Sequence, residues 1–275
     1  MKKWLEGALK NFEVSSKEIL LVFWGNKQEL KEVLSKYRKR FKFFSQKAQE
    51  NELQLFIQMS RASYIPKSIR ENGTLPIILI RKRGDILEDI FRHEAAHIKA
   101  DENGWGKIGE EAYDLLWEPY YKPLSILWGQ SEGATFIYAL NNAIQDFFVA
   151  EIECRHGMTS EAIKENKIKL NDLIRGIKKT IRQRENLIDE KWKIVTLQLT
   201  MWAAFLTALP PSCSRKENEK QLEKVVIDLL RQISTEAEYF KIKFLISKLK
   251  FPPKAVEIYK CGAEIIELAQ EFLEK

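Results

Sequence analysis

Cysteine and histidine are scarce in this 275-residue chain, with three of each. Cys154, Cys213 and Cys261 lie far apart and are odd in number, which predicts neither a disulfide framework nor a Cys-x-x-Cys metal clamp. A reducing cytoplasm is the setting expected from such cysteine usage. Long apolar runs are missing too. The most extended apolar stretch, residues 194–211, contains Gln198 and several threonines and ends in Pro210 and Pro211, whereas a lipid-spanning helix needs about 20 predominantly apolar residues. We read it as a buried core helix, so no membrane partner is expected. Residues 1–10 carry charge without a sustained apolar core or a small-residue cleavage site, so no export signal is expected. There is no internal repeat of fixed period and no low-complexity tract.

What the chain does have is apolar mass and dispersed charge. A hydrophobic share of 45% over this length suffices for a substantial core in one large domain or two unequal ones. The 45 basic and 39 acidic residues leave a net charge of +6, weaker than the focused positive field of a dedicated nucleic-acid binder. Lysine and glutamate dominate the charged set, a usage that recurs in hyperthermophile proteins, where charge networks gain value with temperature.

The patterning changes along the chain. Residues 18–24 (EILLVFW) are apolar and β-rich, and Gly25 and Asn26 turn the chain into a helical pattern over residues 27–43. Residues 53–59 alternate with period two and residues 75–80 form a continuous apolar run, so both read as strands, joined by a loop with Pro66, Asn72 and Gly73. Gly84 then breaks the pattern and Asp85 supplies an N-cap for a helix to about residue 100. From residue 109 onward helical periodicities take over, at 110–116, 132–155, 160–187, 189–209, 217–233, 235–249 and 253–273. The expected fold class is therefore α+β: a small mixed sheet with helices over residues 1–108, then a larger all-α part over 109–209. Residues 210–216 (PPSCSRK) read as a linker to a C-terminal helical unit, 210–275.

His93-Glu94-Ala95-Ala96-His97 matches H-E-x-x-H. On a helix, residues four apart lie one turn apart on one face, so two imidazoles converge on one ion while the neighbouring carboxylate meets the reactive water. Ile86, Ile90, His93 and His97 form one stripe, and Leu87, Phe91, Glu94 and Ile98 the next. A glutamate in an apolar stripe is costly to bury unless it has a partner or a task. Composition alone would produce this arrangement roughly 0.002 times per such sequence. The bland reading is a helix with two core or surface histidines and an incidental glutamate.

These residues resemble the zincin superfamily of metallopeptidases. The resemblance covers the motif helix and the strand before it, and loosely one later helix. It implies a catalytic Zn2+, a peptide or protein substrate held in extended form along an edge strand, and Glu94 as general base. It also implies a mixed sheet and a backing helix ahead of the motif, roles that fall on residues 75–81 and 27–43.

A catalytic zinc usually has three protein ligands and an open position. His97 is followed by IKADENGWG, without the third histidine of metzincins, so the chain resembles the gluzincin branch, in which an acidic residue on a later helix completes the site. Asp146 is the preferred ligand. It lies in a mostly apolar helix one turn after Asn142, and the Asn-x-x-x-Asp run followed by Phe-Phe-Val resembles the later helix of other H-E-x-x-H families. Position 150, where the gluzincin pattern has a helper aspartate, is alanine. Glu118, followed by Pro119, is the alternative third ligand, with Glu151, Glu153 and Glu132 behind it. Asn142 is a candidate hydrogen-bond partner for a ligand. His156 reads as an exposed residue at a helix end. Tyr113, Tyr120, Tyr121 and Tyr138 are possible oxyanion donors, none of them singled out.

Two other functions fit parts of the sequence. Residues 36–44 mix lysine and arginine with aromatics, and Arg81-Lys82-Arg83 and residues 178–184 add charge, which suits phosphate contact and base stacking. One amphipathic helix with buried aromatics is the stronger reading of that run. The other possibility is a zincin-like scaffold that binds zinc and hydrolyses nothing.

Overall fold

The computed structural model describes residues 2–15, 18–36, 62–65, 75–82, 88–213 and 216–274. The chain divides into two compact units, Met1–Lys107 and Ile108–Lys275.

In the first unit, β1 (Leu20–Trp24) runs parallel to β3 (Ile77–Arg81), and β2 (Ala62–Ile65) runs antiparallel to β3, in the order β1-β3-β2. Leu20 aligns with Ile77 and Trp24 with Arg81 on one side of β3, and Ala62 with Ile80 on the other. The central place of β3 explains its composition, because Ile77, Ile78, Leu79 and Ile80 are all buried. Burying each such side chain stabilises the fold by about 1.5–3 kcal/mol. Helix α1 (Lys2–Asn11) and helix α3 (Glu88–Glu102) close the core, where Leu5 meets Ile78, Ile80, Phe91 and Ile98. Ser15 fastens the chain after α1, its backbone N–H and hydroxyl donating to Glu102 Oε1 at 2.9 and 2.6 Å. Helix α2 (Lys27–Lys36) starts where Asn26 Oδ1 accepts the N–H groups of Gln28 and Glu29 at 2.9 and 3.0 Å, an N-cap.

The second unit is helical in its described residues. Helix α4 (Trp105–Trp128) leads through Gly129 to α5 (Gln130–Arg155), followed by α6 (Thr159–Arg182), α7 (Asp189–Thr207), α8 (Lys216–Gln232), α9 (Glu236–Ile246) and α10 (Ala255–Glu274). Gly129 turns the chain at a φ of 87°, which favours glycine, and a Cβ at Gly133 would stand 2.9 Å from the Leu124 carbonyl carbon. Helix α7 is the hub and packs against α5, α6 and α9. Its buried Thr196, Thr200 and Thr207 hydroxyls donate to the carbonyls four residues back at 2.8 Å each, which is how a polar residue survives in this core. No described helix is long and apolar enough to cross a membrane, and residues 194–207 are part of a packed helix as expected.

The α+β layout with a larger helical part agrees with the sequence reading, and several elements differ from it. Helix α1 and strand β2 were not anticipated. The second lies in the stretch read as loop; the strand expected at 53–59 and the Asp85 cap fall outside the described residues, as does the basic run beyond Lys36. The helix expected at 110–116 runs from Trp105 to Trp128 through Pro119 and Pro123. Both prolines are exposed, so the carbonyls their rings leave unbonded can meet water. The cysteine reading is overturned: Cys154 and Cys213, 59 residues apart, form a disulfide. Spacing rules register nearby pairs, whereas these two meet because the chain after α7 returns to the end of α5. The inference from cysteine usage to a reducing cytoplasm falls with it, since disulfides persist in oxidising compartments and in hyperthermophile cytoplasm. The presumed linker is thus tied down at Ser212 and Cys213.

Candidate metal centre

Helix α3 is acidic in its first turn at Glu88 and Asp89 and basic in its last at Lys99, which suits the helix dipole. Phe91, Ala95 and Ile98 face the core, and Glu94 shares their side of the helix with only 4% exposure. A carboxylate this deep requires hydrogen-bonding or cationic partners to hold its charge. His93 and His97, one turn apart, are half-buried, with ring centroids 4.9 Å apart and planes at 84°. Two imidazoles on one tetrahedral zinc, with Zn–N bonds of about 2.0–2.1 Å, place their centroids roughly 5 Å apart. The centroid spacing of the pair is of that order. Ile90 continues this stripe half-buried, and Ile86 and Leu87 lie outside the described residues.

On α5 of the second unit, Tyr138, Asn142 and Asp146 follow one another at four-residue spacing and are all half-buried. Asp146 Oδ2 accepts a hydrogen bond from Lys169 Nζ of α6 at 2.9 Å, and the same ammonium lies 2.9 Å from Glu165 Oε1. Burial alone would pull the Lys169 pKa down, but the charges of Asp146 and Glu165 outweigh it and hold the group above the ordinary lysine range. Asp146 also borders a small cleft lined by Ala143, Phe147, Asn166, Trp202 and Phe205.

Glu151 is 1% exposed and serves structure, with Oε1 accepting from Arg155 Nε at 2.6 Å and Ser212 Oγ at 2.8 Å and Oε2 from the Ser212 N–H at 3.0 Å. Glu118 is exposed on α4, where burial and the Glu118 charge together raise the pKa of Asp114 one turn earlier. Glu132 is half-buried in the first turn of α5. Glu153, only 2% exposed, lies two turns beyond Asp146 on the same stripe. His156 is half-buried, and its Nδ1–H donates to the Ile152 carbonyl at 2.8 Å, a helix-end role. Among the tyrosines, Tyr120 donates to Glu267 Oε1 at 2.8 Å, while Tyr113, Tyr138 and Tyr121 pack around Trp117.

Lys169 and Glu165 were not singled out from the sequence. Their four-residue spacing is visible there as an ordinary helix ion pair; the approach of α6 to Asp146 is not. No family model, no curated protein and no solved structure matches the chain. The functional reading therefore stands on the chain's own residues.

Proposed function

We propose that this protein is a zinc-dependent hydrolase of peptide bonds, with His93, His97 and Asp146 as metal ligands and Glu94 as general base. The observation that carries the reading is the His93–His97 pair, one helical turn apart at a ring separation suited to a common ion, with Glu94 buried beside it. Two imidazoles and a carboxylate are a donor set of the kind that suits zinc, with a fourth position left for water or substrate. Asp146 is preferred over Glu151 because the latter carboxylate already holds the loop at Ser212.

When bound, zinc polarises the scissile carbonyl and acidifies water. Glu94 accepts a proton from the attacking water as the new C–O bond forms, and returns it to the departing amine nitrogen as the C–N bond breaks. Asn142, one turn before Asp146 on α5, is the proposed hydrogen-bond partner of that ligand.

Elemental analysis of the wild type, His97→Ala and Asp146→Ala tests the ligand set, and casein or peptide cleavage by the wild type and Glu94→Gln tests the chemistry. One zinc per wild-type chain, lost in both ligand variants, with cleavage abolished in Glu94→Gln while zinc stays, is expected. Zinc without cleavage in the wild type would leave a binding scaffold; a wild type that holds no zinc ends the proposal.

A further inference from the structure

We infer that the outer face of α9 and the lysines beside it dock the protein on the surface of an anionic phospholipid membrane. Every residue involved belongs to the second unit, and the inference is independent of the metal reading. The expectation of no membrane partner rested on the lack of a spanning stretch. No described helix is long and apolar enough to cross a bilayer, and the contact inferred is with its surface.

Helix α9 is apolar on two opposite sides. Tyr239, Ile242, Leu245 and Ile246 are buried, and α9 packs on α7. On the other side Phe240 and Phe244, one turn apart, are 48% and 63% exposed. Contiguous apolar surface left in water marks a place of contact.

The charge around these rings has one sign. Residues 239–256 contain five lysines and no acidic residue, and no arginine follows Arg231. Lys243 is held inside the fold, 2.6 Å from Glu223 and 3.6 Å from Glu219. The other four, Lys241, Lys248, Lys250 and Lys254, are exposed, and none has an ion pair among the described residues. The Lys248 ammonium stands 4.4 Å from the centre of the Phe244 ring, so positive charge and apolar surface share one face. Past the helix, Leu249 and Pro253 are buried and Phe251 packs on Phe147 and Phe148, while Lys250 and Lys254 stay in water.

Charge and shape together select the partner. Lysines are point charges suited to the diffuse field of anionic headgroups, whereas recognition of nucleic-acid phosphates favours the arginine fork. Two phenylalanines on the outside of a helix form a ridge with no groove to receive a peptide, and a ridge suits the yielding boundary between headgroups and acyl chains.

Cosedimentation of the full chain with vesicles of phosphatidylcholine, alone or in equal parts with phosphatidylglycerol, tests the inference. The proteins compared are the wild type, Phe240→Ser/Phe244→Ser and Lys241→Gln/Lys248→Gln/Lys250→Gln/Lys254→Gln, each checked for folding by thermal unfolding. The wild type is expected to bind the mixed vesicles and not phosphatidylcholine alone, and to bind less as salt rises. Each lysine removed should lower affinity by about fivefold, so the four-lysine variant should stay in solution. The phenylalanine variant should lose about tenfold or more. A wild type that ignores the mixed vesicles, or binds phosphatidylcholine equally well, overturns the inference. Full binding by the phenylalanine variant shows attraction to any polyanion and overturns it as well. If that variant fails to fold, the lysine variant decides, and undiminished binding there is equally fatal. Metal-free and zinc-loaded protein should bind alike, so failure here leaves the metal reading untouched.

Discussion

Cys154 and Cys213 are joined by a disulfide with their Cα atoms 5.3 Å apart, and Glu151, one turn before Cys154, grips Ser212 through both carboxylate oxygens. Two neighbouring positions on α5 thus hold two neighbouring positions of the chain that leaves α7. The end of the helix that carries Asp146 is fastened twice, once covalently and once by a buried carboxylate.

The bridge closes a 59-residue span of chain, for which loss of loop entropy in the unfolded state predicts a stabilisation of roughly 4 kcal/mol. Cys154→Ser/Cys213→Ser should therefore unfold at a markedly lower urea concentration than the oxidised wild type, and a reductant should lower the wild type alone. Identical midpoints with and without reductant would show that the bridge contributes nothing.

Tyr239 supplies a pH dependence. Its ring is fully buried and its hydroxyl lies 2.7 Å from Thr207 Oγ1 and 3.4 Å from Glu223 Oε1. Burial raises the phenol's pKa above its ordinary value, the Thr207 hydrogen bond lowers it, and the Glu223 charge raises it again. A raised folded-state pKa means that this stability is fully present below the unfolded value of about 10 and is lost as pH rises past it, by up to about 1.4 kcal/mol per pH unit. Urea midpoints between pH 9 and 11 should fall more steeply for the wild type than for Tyr239→Phe; parallel slopes would remove Tyr239 from the alkaline transition.

What the sequence revealed was local, and what it concealed was contact between distant elements. The H-E-x-x-H spacing fixes His93 and His97 on one face as soon as a helix forms, and the continuous apolar run of β3 announces a strand buried on both faces. Leu5, Ala8 and Phe12, buried along α1 and the turn after it, carry a helical period in the sequence, too short to stand out among the charges around it. The bond from Lys169 to Asp146 and the bridge from Cys154 to Cys213 have no periodic signature, since each depends on how one helix or loop returns to another.

Metal removal should separate the two histidines from the core residues around them. If His93 and His97 bind zinc only in the folded chain, zinc at 100 times its dissociation constant stabilises the native state by about 2.7 kcal/mol. The wild type should melt at a higher temperature with zinc than with a chelator, while His97→Ala melts at the same temperature in both. A chelator that leaves the wild-type transition unmoved would take the metal out of the folding balance.

The sharpest prediction concerns Glu94. Replacing it with glutamine keeps the volume of a side chain that is 4% exposed, but removes the group that can accept a proton. General-base assistance is worth typically 10²–10⁴-fold, so Glu94→Gln should lower kcat by about that factor. Zinc content should stay at the wild-type level, because His93, His97 and Asp146 are untouched. If instead the variant loses zinc together with activity, Glu94 belongs to the support of the metal; if kcat is unchanged, the proton passes through another group and the assignment of Glu94 as base is wrong.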